Sequence, residues 1–341
     1  MKYTERRRRS MGAIAAVVAM SGVLMACGSD GNDAVSTETV AETPAPQVDD
    51  TSSDTTTAAL ETTVPAAETT EAPVEGIGGE ITEFDFGGGD YYFDTKGVTD
   101  LPAGTVRATM TIDDNATEAH VAMFARINDG ETIESVLSAA ETDFTGYQAA
   151  QMVDFRGGVN ALTAGQTQSS LITLTPGTYV LACFIPAQDG SFPPKPHSAL
   201  GMWSEITVTE PETPSVEVDN EGTINMIEMA FELPENFDGN GTFKVENNGE
   251  LLHEMGIVVL DEGKTGEDVA AFYDFSKGPP AFGQEPDTPS GGFAANHPGN
   301  DGYIELDLPP GNYVFVCFVG NEPPSFSTHL NEGMWKEFTV T

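Results

Sequence analysis

Cysteine, histidine and basic residues are all scarce in this sequence. It contains 3 cysteines and 5 histidines among 341 residues, and 14 lysine and arginine residues against 54 aspartate and glutamate residues. The formal net charge is -40. A chain this acidic repels phosphate backbones, so we expect no nucleic-acid partner. The charge leaves two interpretations open, which are general solubility and attraction of a basic protein partner.

Long apolar runs are also lacking, except close to the N-terminus. Four consecutive arginines, residues 6–9, precede a short apolar stretch, and LMAC follows at Leu24–Cys27. The stretch is too short for a membrane-spanning helix, so it predicts a signal peptide over residues 1–26. The pattern resembles the lipobox of bacterial lipoproteins. That resemblance implies an acylated Cys27 that anchors the chain in the lipid membrane on the extracytoplasmic side; an ordinary secretory signal is the alternative.

Aromatic residues are absent from residues 27–78, which are rich in Thr, Ala, Pro and Glu. Low hydrophobicity combined with net negative charge leaves too little apolar surface to offset the entropy of ordering. We therefore expect a disordered tether over residues 27–78. Its composition is also compatible with O-glycosylation.

The rest of the chain is an internal duplication. Three pairs of segments recur in the same order: LTPGTYVLACF (Leu174–Phe184) and LPPGNYVFVCF (Leu308–Phe318), HSALGMW (His197–Trp203) and HLNEGMW (His329–Trp335), NATEAH (Asn115–His120) and NGELLH (Asn248–His253). Such recurrence indicates two copies of one structural unit. The predicted domains are residues 79–209 and 219–341, joined by a linker at 210–218, and each has an ordinary domain size.

The pattern within each unit is typical of β-strands. EITEFDF and TFKVEN alternate apolar and polar residues, as half-buried strands do. Pro-Gly steps at 176–177 and 310–311 predict tight turns before runs of β-branched and aromatic residues. The runs leading to Cys183 and Cys317 are apolar on both faces, which predicts interior strands. Only TIESVLSAAE and GEDVAAFYDF are candidate helices, so we expect two all-β sandwiches, each with one short helix.

Two motifs in each unit resemble those of the cupredoxins, such as plastocyanin. The motif P-G-x-Y-x-x-x-C followed by H-x-x-x-G-M resembles the C-terminal half of that family, and NNGELLHE resembles the segment that supplies its first histidine. The resemblance implies two tandem cupredoxin-like Greek-key sandwiches, each holding one type 1 copper. The implied ligands are His120, Cys183, His197 and Met202 in the first unit, and His253, Cys317, His329 and Met334 in the second.

The donor types suit this chemistry, because two imidazoles, a thiolate and a weak axial thioether form the blue-copper electron-transfer arrangement. Eleven residues separate Cys317 from His329, and thirteen separate Cys183 from His197, which are longer loops than the family usually has. Three functions therefore stay open. They are one-electron transfer, copper buffering or delivery, and metal-free binding of a surface ligand or partner by a β-sandwich lipoprotein.

Two further expectations concern what the chain does not do. Cys183 and Cys317 could pair in an oxidising compartment, but each is placed in the interior of a different unit, so we expect no disulfide. Copper oxidases and nitrite reductases of the cupredoxin group need extra copper held by additional histidines. This sequence has no H-x-H pair, and His297 lacks a counterpart in the first unit and is interpreted as a loop residue. We therefore expect an electron carrier and not an enzyme.

Overall fold

The computed structural model describes residues 80–143, 145–210, 214–278, 280–281, 283–325 and 327–341. The predicted signal peptide, the predicted acylation site Cys27 and the predicted tether lie outside the described residues. We call residues 80–209 the first repeat and residues 219–341 the second repeat.

Strands dominate both repeats. In the described part of the first repeat the strands are β1 Thr82–Gly89, β2 Tyr92–Asp94, β3 Asp100–Pro102, β4 Gly104–Ile112, β5 His120–Ile127, β6 Val153–Leu162, β7 Thr167–Leu174, β8 Gly177–Ala182 and β9 Trp203–Thr209. Those of the second repeat are β10 Thr223–Ile227, β11 Ala230–Glu232, β12 Asn240–Asn247, β13 His253–Leu260, β14 Asp287–Asn296, β15 Asp301–Asp307, β16 Gly311–Val316 and β17 Trp335–Val340. The predicted all-β class is confirmed.

The α-helices are few and short; both candidate helices are confirmed, and the first repeat has one helix more than the single one expected. They are α1 Ile133–Thr142, α2 Tyr147–Ala150 and α3 Gly266–Phe272, with 3-10 turns at His197–Leu200, Phe275–Lys277 and His329–Glu332. Thr132 and Thr265 cap α1 and α3, each accepting a hydrogen bond from a backbone N–H three residues on. Within the described part of the chain, no helix combines the length and the apolar character needed to cross a bilayer.

Both sheets run through both repeats. Their strand orders are β11-β10-β12-β15-β7-β4-β1-β2 and β17-β16-β13-β14-β6-β5-β8-β9-β3. The repeats join where β15 pairs with β7 and β14 pairs with β6, both antiparallel. Each strand at these junctions pairs with its own counterpart, so an approximate two-fold axis relates the repeats. That each repeat is a separate domain with the predicted boundaries stays a prediction.

The main apolar core lies between the two sheets and is rich in phenylalanine. Phe84, Phe86 and Phe124 fill it in the first repeat, and Phe243 and Phe315 in the second, all at most 2% exposed. The aromatic rings contact one another at centroid separations such as 4.9 Å for Phe84 and Phe86. Such packing of large side chains fixes the spacing of the sheets and hence the position of the strands that carry the donors.

The strands that lead to the cysteines are interior, as predicted. Strand β8 lies between β5 and β9, and β16 lies between β13 and β17. The Pro-Gly turn before each strand is closed by a tyrosine hydroxyl: Tyr179 donates to the carbonyl of Thr175 at 3.0 Å, and Tyr313 donates to that of Pro309 at 2.7 Å. The cysteines themselves occupy the first position after these strands.

A Gly-Gly pair interrupts the pairing in the middle of β6 and of β14. At Gly158 (φ 137°) an added Cβ would lie 2.0 Å from the carbonyl oxygen of Ala122, and at Gly292 (φ 125°) it would lie 2.0 Å from that of Met255. A side chain cannot enter either contact unless the paired strand moves. Strands β5 and β13 begin with the first histidine of each repeat, and their register against β6 and β14 shifts at these glycines.

We predict that Gly292→Ala lowers the free energy of unfolding by about 3 kcal/mol or more, since it combines a left-handed backbone with a backbone clash. Gly299→Ala is the matched control, because Gly299 also has positive φ (79°) but nothing within 4 Å of an added Cβ. It should cost about 1 kcal/mol. Urea unfolding of both variants measures the difference, and equal losses would contradict this account of the Gly-Gly pair.

Candidate metal centres

Three predicted donors meet in the first repeat. His120 begins β5, Cys183 follows β8, and His197 begins a short helical turn in the loop beyond it. The Nδ1 atoms of the two histidines are 3.1 Å apart, and the Sγ atom of Cys183 is 3.4 Å from Nδ1 of His197. All three residues are 0% exposed. The three donor atoms therefore surround one small, buried space.

The second repeat builds the same group from its equivalent residues. Nδ1 of His253 lies 3.1 Å from Nδ1 of His329, and Sγ of Cys317 lies 3.9 Å and 3.5 Å from these two nitrogens. His253 and Cys317 are fully buried, and His329 is 3% exposed. In both repeats, the two histidines and the cysteine that the sequence predicted are thus brought together.

Backbone hydrogen bonds place the predicted methionine beside these donors. The N–H of Met202 donates to the carbonyl of His197 at 3.0 Å, and the carbonyl of Met202 accepts from the N–H of Cys183 at 3.1 Å. Met334 makes the equivalent bonds, with the donor–acceptor distances 2.9 Å to His329 and 3.3 Å to Cys317. Both methionines are fully buried. The backbone of each methionine is therefore fixed next to the cysteine and the second histidine of its group.

The long loop between cysteine and histidine leaves the centre and returns to it. A β-bridge between Pro186 and Pro196 closes the loop of the first repeat, and one between Gly320 and Thr328 closes that of the second. The N–H of His197 then donates to the carbonyl of Ile185 at 2.9 Å. The extra residues lie beyond these bridges, so they do not displace the second histidine from the donor group.

Hydrogen bonds on the outer ring nitrogens determine the tautomers in the first repeat. Nε2 of His120 lies 3.2 Å from a carboxylate oxygen of Asp90, and Nε2 of His197 lies 3.0 Å from one of Glu118. Burial lowers the pKa of both histidines. The rings are therefore neutral, and since a carboxylate only accepts, Nε2 carries the proton and Nδ1 a lone pair.

This arrangement fits a metal ion. Two nitrogen lone pairs face each other at 3.1 Å, and the sulfur atom of Cys183 lies beside them, 3.4 Å from Nδ1 of His197. Such an arrangement is unfavourable without a cation. Donors that share one ion at bond lengths of about 2.0 Å for nitrogen and about 2.3 Å for sulfur would lie roughly 3 to 4 Å apart, as these atoms do. The histidine, cysteine and methionine groups fit type 1 copper sites, one in each repeat.

The protonation states before metal binding follow from burial. Burial lowers the pKa of His253 and of His329 to about 4 and raises the pKa of the Cys183 thiol to about 12; it also raises the pKa of Cys317. At neutral pH the imidazoles are thus ready to bind a metal, whereas each thiol must first lose its proton.

A buried carboxyl group supports the second centre from the far side of the cysteine. Glu254 accepts hydrogen bonds from the N–H of Phe318 at 3.0 Å and from the side chain of Asn160, in the first repeat, at 3.2 Å. Its own N–H points to Sγ of Cys317 at 3.4 Å. Burial raises the pKa of Glu254 to about 7. The second centre is therefore held partly by the first repeat.

The remaining histidine and the free thiols behave as expected. His297 is a loop residue outside both donor groups, and its Nδ1 accepts a hydrogen bond from the N–H of Phe155 at 2.8 Å. Cys183 and Cys317 are both free. Four acidic residues near the donors, namely Asp90, Glu118, Glu228 and Glu254, were not predicted from the sequence. Comparing the duplicated segments does reveal that Glu118 is replaced by Leu251, but not what either side chain contacts.

No family model and no curated protein matches the sequence. Among solved structures, an auracyanin from Roseiflexus castenholzii is 21% identical over 38% of this chain and 98% of its own, with a TM-score of 0.29. Auracyanin A of Chloroflexus aurantiacus, a blue copper protein, is 15% identical over 38% of this chain and 100% of its own, with a TM-score of 0.27. A copper nitrite reductase from Nitrosomonas europaea is 16% identical over 77% of this chain and 94% of its own, with a TM-score of 0.22. The case for the metal centres rests on the donor atoms of this chain itself.

We predict that the Cys183→Ser protein, which keeps only the second donor group, releases about one proton for each Zn(II) bound between about pH 5.5 and 7. Among the donors of this group only the thiol is protonated in this range, because the pKa of both histidines is about 4. Glu254, whose pKa is about 7, is also replaced by Gln in this protein so that it contributes no proton to the count. Anaerobic titration calorimetry in buffers of different protonation enthalpy counts the protons.

The Cys183→Ser/Cys317→Ser double variant is the control and should bind no Zn(II) tightly. Release of two or three protons at pH 5.5 would contradict the account, since it would require histidines that are protonated in the free protein.

Proposed function

We propose that this protein is a membrane-tethered, extracytoplasmic copper protein that carries single electrons through one type 1 copper site in each repeat. The observation that supports it is the buried group of two facing Nδ1 atoms and a cysteine sulfur, with a buried methionine fixed beside it, present twice. The proposed ligands are His120, Cys183, His197 and Met202 in the first repeat and His253, Cys317, His329 and Met334 in the second.

Bound copper supplies a one-electron couple, and the mixed donor set suits both of its oxidation states. The chain contributes rigidity, because two ligands of each set are held by interior strands and two by a loop closed with backbone bonds. It also directs backbone N–H groups at each sulfur, among them that of Val121 in the first repeat and that of Glu254 in the second, both at 3.4 Å. Hydrogen bonds to a ligating sulfur stabilise its negative charge and tune the redox potential.

The burial of the donors favours electron transfer over copper delivery. His120, Cys183, His253 and Cys317 are all 0% exposed. To hand over an ion, a partner's ligands would have to reach the metal, and this would require opening the core. Passing an electron requires no such contact. We therefore place copper buffering or delivery second.

We further propose that the protein does not oxidise a substrate with dioxygen. Within the described residues, the two histidine and cysteine groups are the places where three or more His, Cys, Asp or Glu side chains could hold a metal. His297 is occupied with the backbone of Phe155. The chemistry left is one electron per site, exchanged with a partner. The net charge of -40 favours a basic redox protein, with association weakening as salt rises.

We predict that protein loaded with Cu(II) has an intense visible thiolate-to-copper band corresponding to two sites per chain. Cys183→Ser and Cys317→Ser should each remove one site, because the thiolate is the source of the band. Met334→Leu should keep the band and mainly shift the potential of the second site, since the axial ligand is weak. Absorption spectra with copper analysis measure all three.

A folded wild-type protein without this band would contradict the proposal and favour a metal-free β-sandwich.

A separate assay tests the proposal that the protein is not an enzyme. Copper-loaded protein should neither consume dioxygen with phenols nor reduce nitrite, and clear turnover in either assay would overturn that part alone.

The proposed membrane anchor rests on the lipobox-like sequence that ends at Cys27. We predict that a fatty-acid probe labels the wild-type protein in a bacterial host and that Cys27→Ser abolishes the labelling. Cys183→Ser is the matched control and should be labelled normally. Equal labelling of Cys27→Ser and wild type would refute the lipid anchor and leave the copper proposal unaffected.

A further inference from the structure

The two donor groups differ at the outer edges of their histidines. In the first repeat, a carboxylate oxygen of Glu118 is 3.0 Å from Nε2 of His197, and the Glu118 side chain is only 11% exposed. Two further donors hold it in place: the hydroxyl of Tyr91 at 2.8 Å and the N–H of Gln188 at 3.0 Å. Glu118 is therefore a fixed partner of His197 and not a mobile surface charge.

The other histidine of the first repeat also has a carboxylate partner. An oxygen of Asp90 lies 3.2 Å from Nε2 of His120. The same carboxylate accepts hydrogen bonds from the N–H and hydroxyl of Thr117 at 3.0 Å and 2.7 Å. Both histidines of the first centre thus donate to acidic side chains that the chain holds in position.

The second repeat lacks this arrangement. The residue equivalent to Glu118 is Leu251, which is 43% exposed. Glu228 is equivalent to Asp90, but its nearest oxygen is 4.0 Å from Nε2 of His253. Its hydrogen bonds come from backbone N–H groups of the loop just before His253. Nε2 of His253 is buried without a hydrogen-bond partner, and no carboxylate of the described residues hydrogen-bonds to His329.

The backbone shows that these positions are truly equivalent. Tyr91 and Met229 follow Asp90 and Glu228, and both adopt positive φ, 69° and 56°. Asp90 accepts the N–H groups of Thr117 and Glu118, just as Glu228 accepts those of the two residues at the equivalent loop positions. The difference between the centres is therefore one of side chains on a shared backbone.

A carboxylate that accepts the outer N–H of a metal-bound imidazole makes that imidazole a more basic ligand. It also places a negative charge close to the ion, where the protein screens it less than water would. Both effects stabilise the more highly charged, oxidised state of the metal. In this chain they act twice in the first centre and at most weakly, through Glu228 at 4.0 Å, in the second.

We propose that the two centres are unequal: Asp90 and Glu118 would hold the first at the lower reduction potential, so that an electron is more stable on the second centre than on the first. This inference rests on the proposed function, namely that both centres hold copper. With copper bound, each centre would gain or lose one electron, and no bond or proton would be exchanged. Asp90 and Glu118 are positioning residues that act through His120 and His197.

One acidic side chain opposes this order. Glu254 lies beside the sulfur of the second centre, and a negative charge there would lower the potential of that centre as well. Both its oxygens accept hydrogen bonds within the protein, from Phe318 and Asn160, and neither reaches a ligand histidine. Glu254→Gln should therefore leave the order of the two potentials unchanged or widen their separation.

The test uses copper-loaded full-length Cys317→Ser, which keeps the first centre, and Cys183→Ser, which keeps the second. Spectroelectrochemical titration of the thiolate band gives each potential. At the potential where the first centre is half reduced, we expect the reduced form of the second centre to exceed its oxidised form at least about tenfold. This corresponds to a difference of about 59 mV between the two potentials for one electron.

Exchange of the distinguishing side chain is the matched control. Glu118→Gln in the first-centre protein should raise its potential while the thiolate band stays intact, and Glu118→Asp should partly restore the wild-type value. Leu251→Glu in the second-centre protein should lower its potential.

In the metal-free protein, ¹⁵N NMR should find the His197 ring protonated at Nε2, and Glu118→Leu should increase the Nδ1-protonated tautomer.

Equal potentials for the two centres, or a Glu118→Gln potential equal to that of its parent, would overturn this inference and leave the proposed function intact. A folded protein that forms no thiolate band in either centre would overturn both. If the His197 tautomer of Glu118→Leu equals that of the wild type, Glu118 does not determine which ring nitrogen carries the proton. That result would also count against the inference.

Discussion

The geometry of each centre depends on the backbone of its own cysteine. Cys183 donates its N–H to the carbonyl of Met202 at 3.1 Å and accepts at its carbonyl the N–H of Ser198 at 2.8 Å. Cys317 makes the same pair of bonds to Met334 and Leu330, at 3.3 Å and 2.8 Å. Since Ser198 and Leu330 directly follow the second histidine, these bonds bring histidine and methionine to the cysteine whatever the length of the loop between them.

The interior strand that ends at the cysteine is what makes this backbone a fixed reference. It is paired on both edges, with the first-histidine strand on one side and the strand after the methionine on the other. Three donor-bearing segments are therefore neighbours in one sheet, and burial excludes water from the space among them. Burial also disfavours the charged forms of the donors. The histidines therefore stay neutral, and the thiol stays protonated until a cation is bound.

Duplication has produced two similar cores with different surroundings. The shared sheets join the repeats through counterpart strands, and contacts such as Asn160 to Glu254 connect one repeat to the centre of the other. The ligand types are the same in both, whereas the side chains that contact the outer histidine nitrogens differ. Identical ligands with different hydrogen-bond partners are a physical means of giving two centres of one chain different properties.

The sequence by itself was sufficient for the elements and for the identity of the donors. The period-two pattern and the apolar runs before Cys183 and Cys317 predicted interior strands, and α1 and α3 were predicted from their segments, because burial of one face is written in local spacing. The resemblance of the duplicated motifs named the histidines, cysteines and methionines. Local patterns state which face of a strand is buried, but not which strand lies beside it.

Only the tertiary structure decided that the repeats share both sheets, that the long loops return the second histidine, and that Glu118 contacts His197. Glu118 and His197 are 79 positions apart, and Asn160 and Glu254 are 94 apart. A hydrogen bond across such a separation depends on the packing of several strands at once. No spacing in the sequence therefore indicates that Glu118 contacts His197. The donors could be predicted because they recur in a motif; their charged neighbours could not, because they exist as neighbours only after folding.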